Sequence, residues 1–236
     1  MKWTHLKWAV VTTVFTVPAA GAQDFQVQPV LDPTLMTGWA GGAAVQYDLE
    51  KRAAAAGKTT AAANLAYTPT PALKKATVAG YVSRLKASDP AASKAVAAAF
   101  APGKYDYASI YSGLAKGYGL KDNDATDVMT VYLVLGYVIV NNVQDDKALT
   151  PKMVQGVRSQ FGPQLAKNPK LTAPGVAGQL GEEMKLQTVI VHGGWQAAIK
   201  EKTLPAYQQG IATMFKTQWG LDLKSVRLTA QGFARK

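Results

Sequence analysis

The chain is 236 residues long, has no cysteine and two histidines, and carries a formal net charge of +11. The missing cysteine excludes a disulfide framework, a thiolate zinc or iron–sulfur centre and a catalytic thiol, so stability has to come from packing. A chain of this size can bury ~70% of the surface its unfolded form exposes, which is enough for a core without covalent cross-links.

Lys2 and Lys7, an apolar stretch from Trp8 to Val17 and the triplet Ala20-Gly21-Ala22 have the layout of a cleavable secretory signal. That stretch is about half the ~20 residues a membrane-crossing helix requires, so residues 1–22 read as a signal peptide cut after Ala22. Cleavage leaves 214 residues with 24 basic groups against 15 acidic ones, a net charge of +9, and His192 as the remaining histidine. The expected location is periplasmic or secreted.

Residues 23–69 are poorly patterned. Gly38, Gly41 and Gly42 break an apolar patch, and the span 58–71 is rich in Thr, Ala and Pro. A helix over Ala43 to Ala56 has the propensity but few large side chains to anchor it, so an extended or weakly helical arm is expected.

The helical domain is expected over residues 70–236. Thr70-Pro71 opens a helix with Leu73, Ala76, Val82 and Leu85 at helical spacing. Asp89-Pro90 starts a second, reaching about Phe100. Asp106 caps a third, with Tyr107, Tyr111 and Leu114 on one face and Gly117 and Gly119 ending it. Asp122, Asp124 and Asp127 precede or enter the apolar segment Val128 to Val140, where negative charge suits the positive end of a helix. This segment is apolar all round, which implies burial on every side; its many β-branched residues leave a buried strand as the alternative.

Thr150-Pro151 opens the helix of Met153, Val157 and Phe161, which Gly162-Pro163 is expected to bend or interrupt. Thr172 and Pro174 announce the next, carrying Leu180, Met184, Val191 and Trp195. Within it, Gly193-Gly194 reads as a break or kink, with His192 at a helix end or partly buried. The last helix runs from Thr203 to Trp219 and stops at Gly220. The fold expected is all-α, a single irregular bundle of about six helices around a central apolar helix.

Several fragments suggest chemistry and fail on their parts. Gly57-Lys58-Thr59-Thr60 ends like a phosphate-binding loop, but Arg52 stands where its first glycine belongs and no apolar strand leads in. A calcium-loop register from Asp122 puts Asp127 at the glycine position and Leu133 at the bidentate glutamate. Val189-Ile190-Val191-His192-Gly193-Gly194 resembles an oxyanion turn of lipases, but no G-x-S-x-G follows and no second histidine is left to act as base. Glu182 and Glu183 are adjacent and point about 100° apart on a helix, unlike a facing catalytic pair. No metal or cofactor is implied. Tyr107 and Tyr111, on one helix face with Tyr118 close by, could stack on a sugar or peptide, although burial with a wet hydroxyl is the commoner use of tyrosine.

From Tyr67 onward the chain resembles a family of exported bacterial proteins of unknown function. The resemblance rests on Tyr67-Thr68-Pro69 with Leu73, Gly119-Leu120 and Asp124-Ala125-Thr126-Asp127, Val157-Arg158-Ser159-Gln160, and the ending Gly220-Leu221-Asp222-Leu223 with Leu228-Thr229-Ala230-Gln231-Gly232-Phe233. It implies a helical secreted domain and brings no activity, cofactor or catalytic residue. Read physically, Asp127 at the start of the core helix and Arg158 on the next suit a bidentate ion pair. Gly220 and Gly232 read as turn positions, and Leu228 and Phe233 as residues pinning the tail.

The function expected is non-enzymatic binding of an anionic envelope component or another protein through a basic surface that includes Lys74, Lys75, Arg84 and Lys86 on an early helix and Lys224 and Arg227 near the end. The alternative is an envelope hydrolase of glycans or peptides, its carboxylates brought together from separate helices. Nucleic acid is a poor partner, since export separates the protein from it and no reading helix is visible.

Overall fold

The computed structural model describes residues 65–236. The expected signal sequence, the expected arm up to residue 64, the Gly57-Lys58-Thr59-Thr60 fragment and the cations Lys51, Arg52 and Lys58 lie outside the described residues.

The described chain is mostly helical. Its seven α-helices are α1 (Pro71–Ser88), α2 (Pro90–Ala99), α3 (Tyr107–Ala115), α4 (Ala125–Val140), α5 (Pro151–Lys167), α6 (Val176–Lys200) and α7 (Leu204–Trp219). Five cap residues read from the sequence do their work, whereas Thr172 does not cap α6, which starts after Gly175, and Thr203 precedes α7 without a side-chain cap bond. Thr70 Oγ1 accepts from the Leu73 amide at 3.1 Å, Asp89 Oδ1 from Ala92 at 2.8 Å, Asp106 Oδ1 from Ala108 at 3.1 Å and Thr150 Oγ1 from Met153 at 3.3 Å. Asp124 caps α4 through the amides of Thr126 and Asp127.

α4 is a helix, not a strand, and every residue in it except Tyr137 is buried. α6, α5 and α7 pack around it. Among the described residues no helix is long and apolar enough to cross a membrane.

Three expectations are corrected. The fold is not wholly α: after the last helix, β1 (Val226–Thr229) and β2 (Gly232–Arg235) form an antiparallel hairpin in which Leu228 faces Phe233. Gly162-Pro163 does not interrupt α5, whose buried Phe161 and Leu165 hold it on either side of the proline. Gly193-Gly194 does not break α6, and His192 is fully buried in mid-helix. Gly194 instead makes room for Tyr207: a Cβ there would stand 2.6 Å from the Tyr207 hydroxyl, which donates to the Val191 carbonyl at 2.7 Å.

Compact structure also begins before residue 70. Leu65 is buried, and a short antiparallel bridge ties 65–67 to 123–125, with the Tyr67 amide donating to Asn123 O at 2.9 Å and the Ala125 amide to Leu65 O at 3.1 Å. This strap brings Tyr67 onto α6.

Candidate functional site

The densest group of polar side chains gathers around the first half of α6. Glu182 is completely buried. Its Oε1 accepts from Tyr67 Oη at 2.8 Å and from Lys185 Nζ at 2.7 Å, and its Oε2 accepts from Tyr107 Oη at 2.7 Å. Lys185, only 2% exposed, donates also to Asn123 Oδ1 at 2.8 Å. Its ammonium stands 5.2 Å from the centre of the Tyr67 ring and 5.9 Å from that of Tyr111, within range of a cation–π attraction.

Local sequence explains each placement. Glu182 and Lys185 lie three apart and so share a helix face. Tyr67 can lie flat on α6 because Gly181 has no side chain; a Cβ at that position would collide with the Tyr67 ring. Tyr107 starts α3 directly after the Asp106 cap, and Asn123 precedes the Asp124 cap of α4.

The tyrosine hydroxyls around this pair are all held in the protonated form. Burial, and then the Glu182 carboxylate, pushes the Tyr67 hydroxyl well above the usual tyrosine range. Burial and the hydrogen bond to Glu182 do the same for Tyr107. For Tyr111 burial comes first, followed by the charges of Asp122, Asp127 and Asp124. The Tyr67 and Tyr107 hydroxyls both donate to Glu182, which with the bond from Lys185 accepts three hydrogen bonds. A buried charge needs such complete pairing. The network ties the strap, α3, the turn before α4 and α6 to one another.

The other acidic residues singled out from the sequence are engaged as well. Asp127 Oδ1 pairs with Arg158 Nε, and Asp127 Oδ2 accepts the Lys121 amide at 2.8 Å. Asp122 Oδ2 accepts the Ser112 hydroxyl. Glu183 pairs with Arg84 at 2.5 Å. Among the described residues no group of three or more His, Asp or Glu side chains could hold a metal ion.

Tyr107 and Tyr111 are not a surface for stacking on sugars. They are buried, at 3% and 0% exposure, because their helix face packs against α6. The early basic helix is partly neutralised: Lys74 faces Asp106 at 3.5 Å and Arg84 faces Glu183, while Lys75 and Lys86 are exposed. Lys224 and Arg227 are exposed at the C-terminal hairpin.

Sequence reasoning missed Tyr67, Tyr107 and Lys185 as partners of Glu182, and Asn123 as a partner of Lys185. The i, i+3 pair Glu182 and Lys185 inside an otherwise apolar stretch was the available signal, since two charges on a buried face must satisfy each other. A scan against family models finds no match, and neither the curated proteins nor the solved structures contain a match to the chain.

Proposed function

We propose that this chain is an exported, non-enzymatic binding protein of the bacterial envelope that engages an anionic component through its basic surface. Export rests on the layout of residues 1–22. Binding rests on one observation, the way the fold sorts charge. Residues 65–236 contain 21 Lys and Arg against 11 Asp and Glu. Asp124, Asp127 and Glu182 are buried, whereas among the described residues Lys185 is the one basic residue that is. Asp89 and Asp106 are bound to helix starts as caps. Folding thus withdraws more negative than positive charge from solvent, and the surface left behind is more one-sided than the sequence total.

Such a field speeds encounter with anionic surfaces and is weakened by salt. The test is co-sedimentation of the protein with vesicles of phosphatidylglycerol and with vesicles of phosphatidylcholine. Retention on the anionic vesicles alone supports the reading. Equal retention on both, or retention on neither together with no binding of soluble polyphosphate, contradicts it.

A further inference from the structure

We infer that the binding surface is the corner formed by the C-terminal hairpin and its base, and that its partner is the phosphate headgroup array of an anionic bilayer. This rests on the binding function proposed above.

The hairpin is firmly mounted. The Gln160 side chain brackets Phe233, its Nε2 donating to Phe233 O at 2.9 Å and its Oε1 accepting the Phe233 amide at 2.8 Å. The Phe233 ring is buried against Tyr137 and Phe161. With Val226 and Leu228 turned inward, Arg227 between them is exposed on the outer face. At the hairpin base the Lys236 amide donates to Ser225 O at 3.0 Å and Lys236 Nζ to Lys224 O at 2.7 Å, which brings Lys224 and Lys236 together.

The partners of these cations set this corner apart from the α1 face. Lys224 Nζ meets the neutral amide oxygen of Gln209 at 2.6 Å, and Lys236 Nζ that of Asn141 at 3.0 Å. A neutral amide holds an ammonium in place without cancelling its charge. On α1, Lys74 and Arg84 are matched by carboxylates, and the exposed Lys75 and Lys86 stand about 16 Å apart along the helix, too far to act as one cluster. The carboxylate of the hairpin corner, Asp222, is engaged by Lys216 at 3.2 Å. An Arg fork exposed three residues after Lys224 suits phosphate oxygens. The cations are displayed over an outer face and its base instead of converging in a pocket, which fits an array of headgroups better than one small anion.

The experiment compares the unmodified chain with the exposed-site variants Lys224→Gln/Arg227→Gln and Lys75→Gln/Lys86→Gln, each removing two charges. Partition onto phosphatidylglycerol vesicles is measured at low salt, and thermal melts establish that all three fold alike. At about five-fold per cation near an anionic surface, the hairpin variant should bind roughly 25-fold more weakly. The α1 variant should stay within about three-fold of the unmodified chain. Equal losses in the two variants overturn the localisation and leave the binding function standing. Binding of the unmodified chain to soluble polyphosphate but not to vesicles overturns the bilayer as partner. Failure to bind either removes the binding function itself.

Discussion

At the scale of single residues, this protein is governed by how it settles its buried charges. Glu182 and Lys185 are tolerated in the core because every oxygen of the carboxylate and both described contacts of the ammonium are hydrogen-bonded. Glu182→Gln should leave Lys185 buried without a charged partner and lower stability by about 3–5 kcal/mol in denaturant unfolding. Tyr107→Phe removes one hydrogen bond to a charged group and should cost about 1.5–3 kcal/mol. A loss for Glu182→Gln no greater than that for Tyr107→Phe would contradict this pairing. The tyrosines add a pH dependence. Tyr67, Tyr81, Tyr107 and Tyr132 are all held above the ordinary tyrosine value of about 10, chiefly by burial. The unfolded chain therefore releases these protons first as pH rises, so stability is fully present below about pH 10 and declines above it. Alkaline titration should show tyrosinate absorbance rising together with loss of helix signal. Ionisation of these groups well before unfolding would contradict their burial. Asp127 and Arg158 were legible in the sequence because each sits next to a local marker, a cap and a helix face. The Glu182 network was not, because its members come from positions 67, 107, 123, 182 and 185, and no periodicity links segments so far apart.

At the scale of elements, the helix starts were readable because capping is local chemistry: a Thr or Asp before a proline or an apolar face announces itself within four residues. The glycines were misread for the opposite reason. Their role depends on what lies across from them. Gly156 on α5 faces the hairpin turn, and a Cβ there would stand 2.5 Å from both the Ala230 carbonyl oxygen and the Gly232 amide nitrogen. Backbone cannot swing aside as a side chain can, so Gly156→Ala should cost about 1–3 kcal/mol. Gly210 on α7 has open space around its would-be Cβ, and Gly210→Ala should stabilise by about 0.4–1 kcal/mol. Melting temperatures that move the same way in both variants would show that glycine content, and not the approach of the hairpin to α5, decides the effect. The hairpin escaped sequence reading because its strands are four residues each and β2 does not alternate, with Gly232 and Phe233 buried in succession. What could be read was the pinning role of Leu228 and Phe233, and both are buried.

At the scale of the whole molecule, net charge was legible as a number but its disposition was not. The sequence reading spread the cations over an early helix and the tail. The fold pairs Lys74 and Arg84 with carboxylates, buries Lys185, and leaves Lys224 exposed beside the neutral amide of Gln209 and Arg227 exposed on the hairpin. The tyrosines offered as a stacking surface became core, since their ring areas are too large to leave in water when a helix face is at hand to cover them. The surface that remains is basic. Its most direct test is the salt dependence of binding to phosphatidylglycerol vesicles, measured across ~0.05 to 0.5 M salt, a range over which the screening length falls from well over 10 Å to about 4 Å. The account predicts that affinity falls steeply and continuously across this range and returns on dilution, and a binding constant that does not change with salt would contradict it.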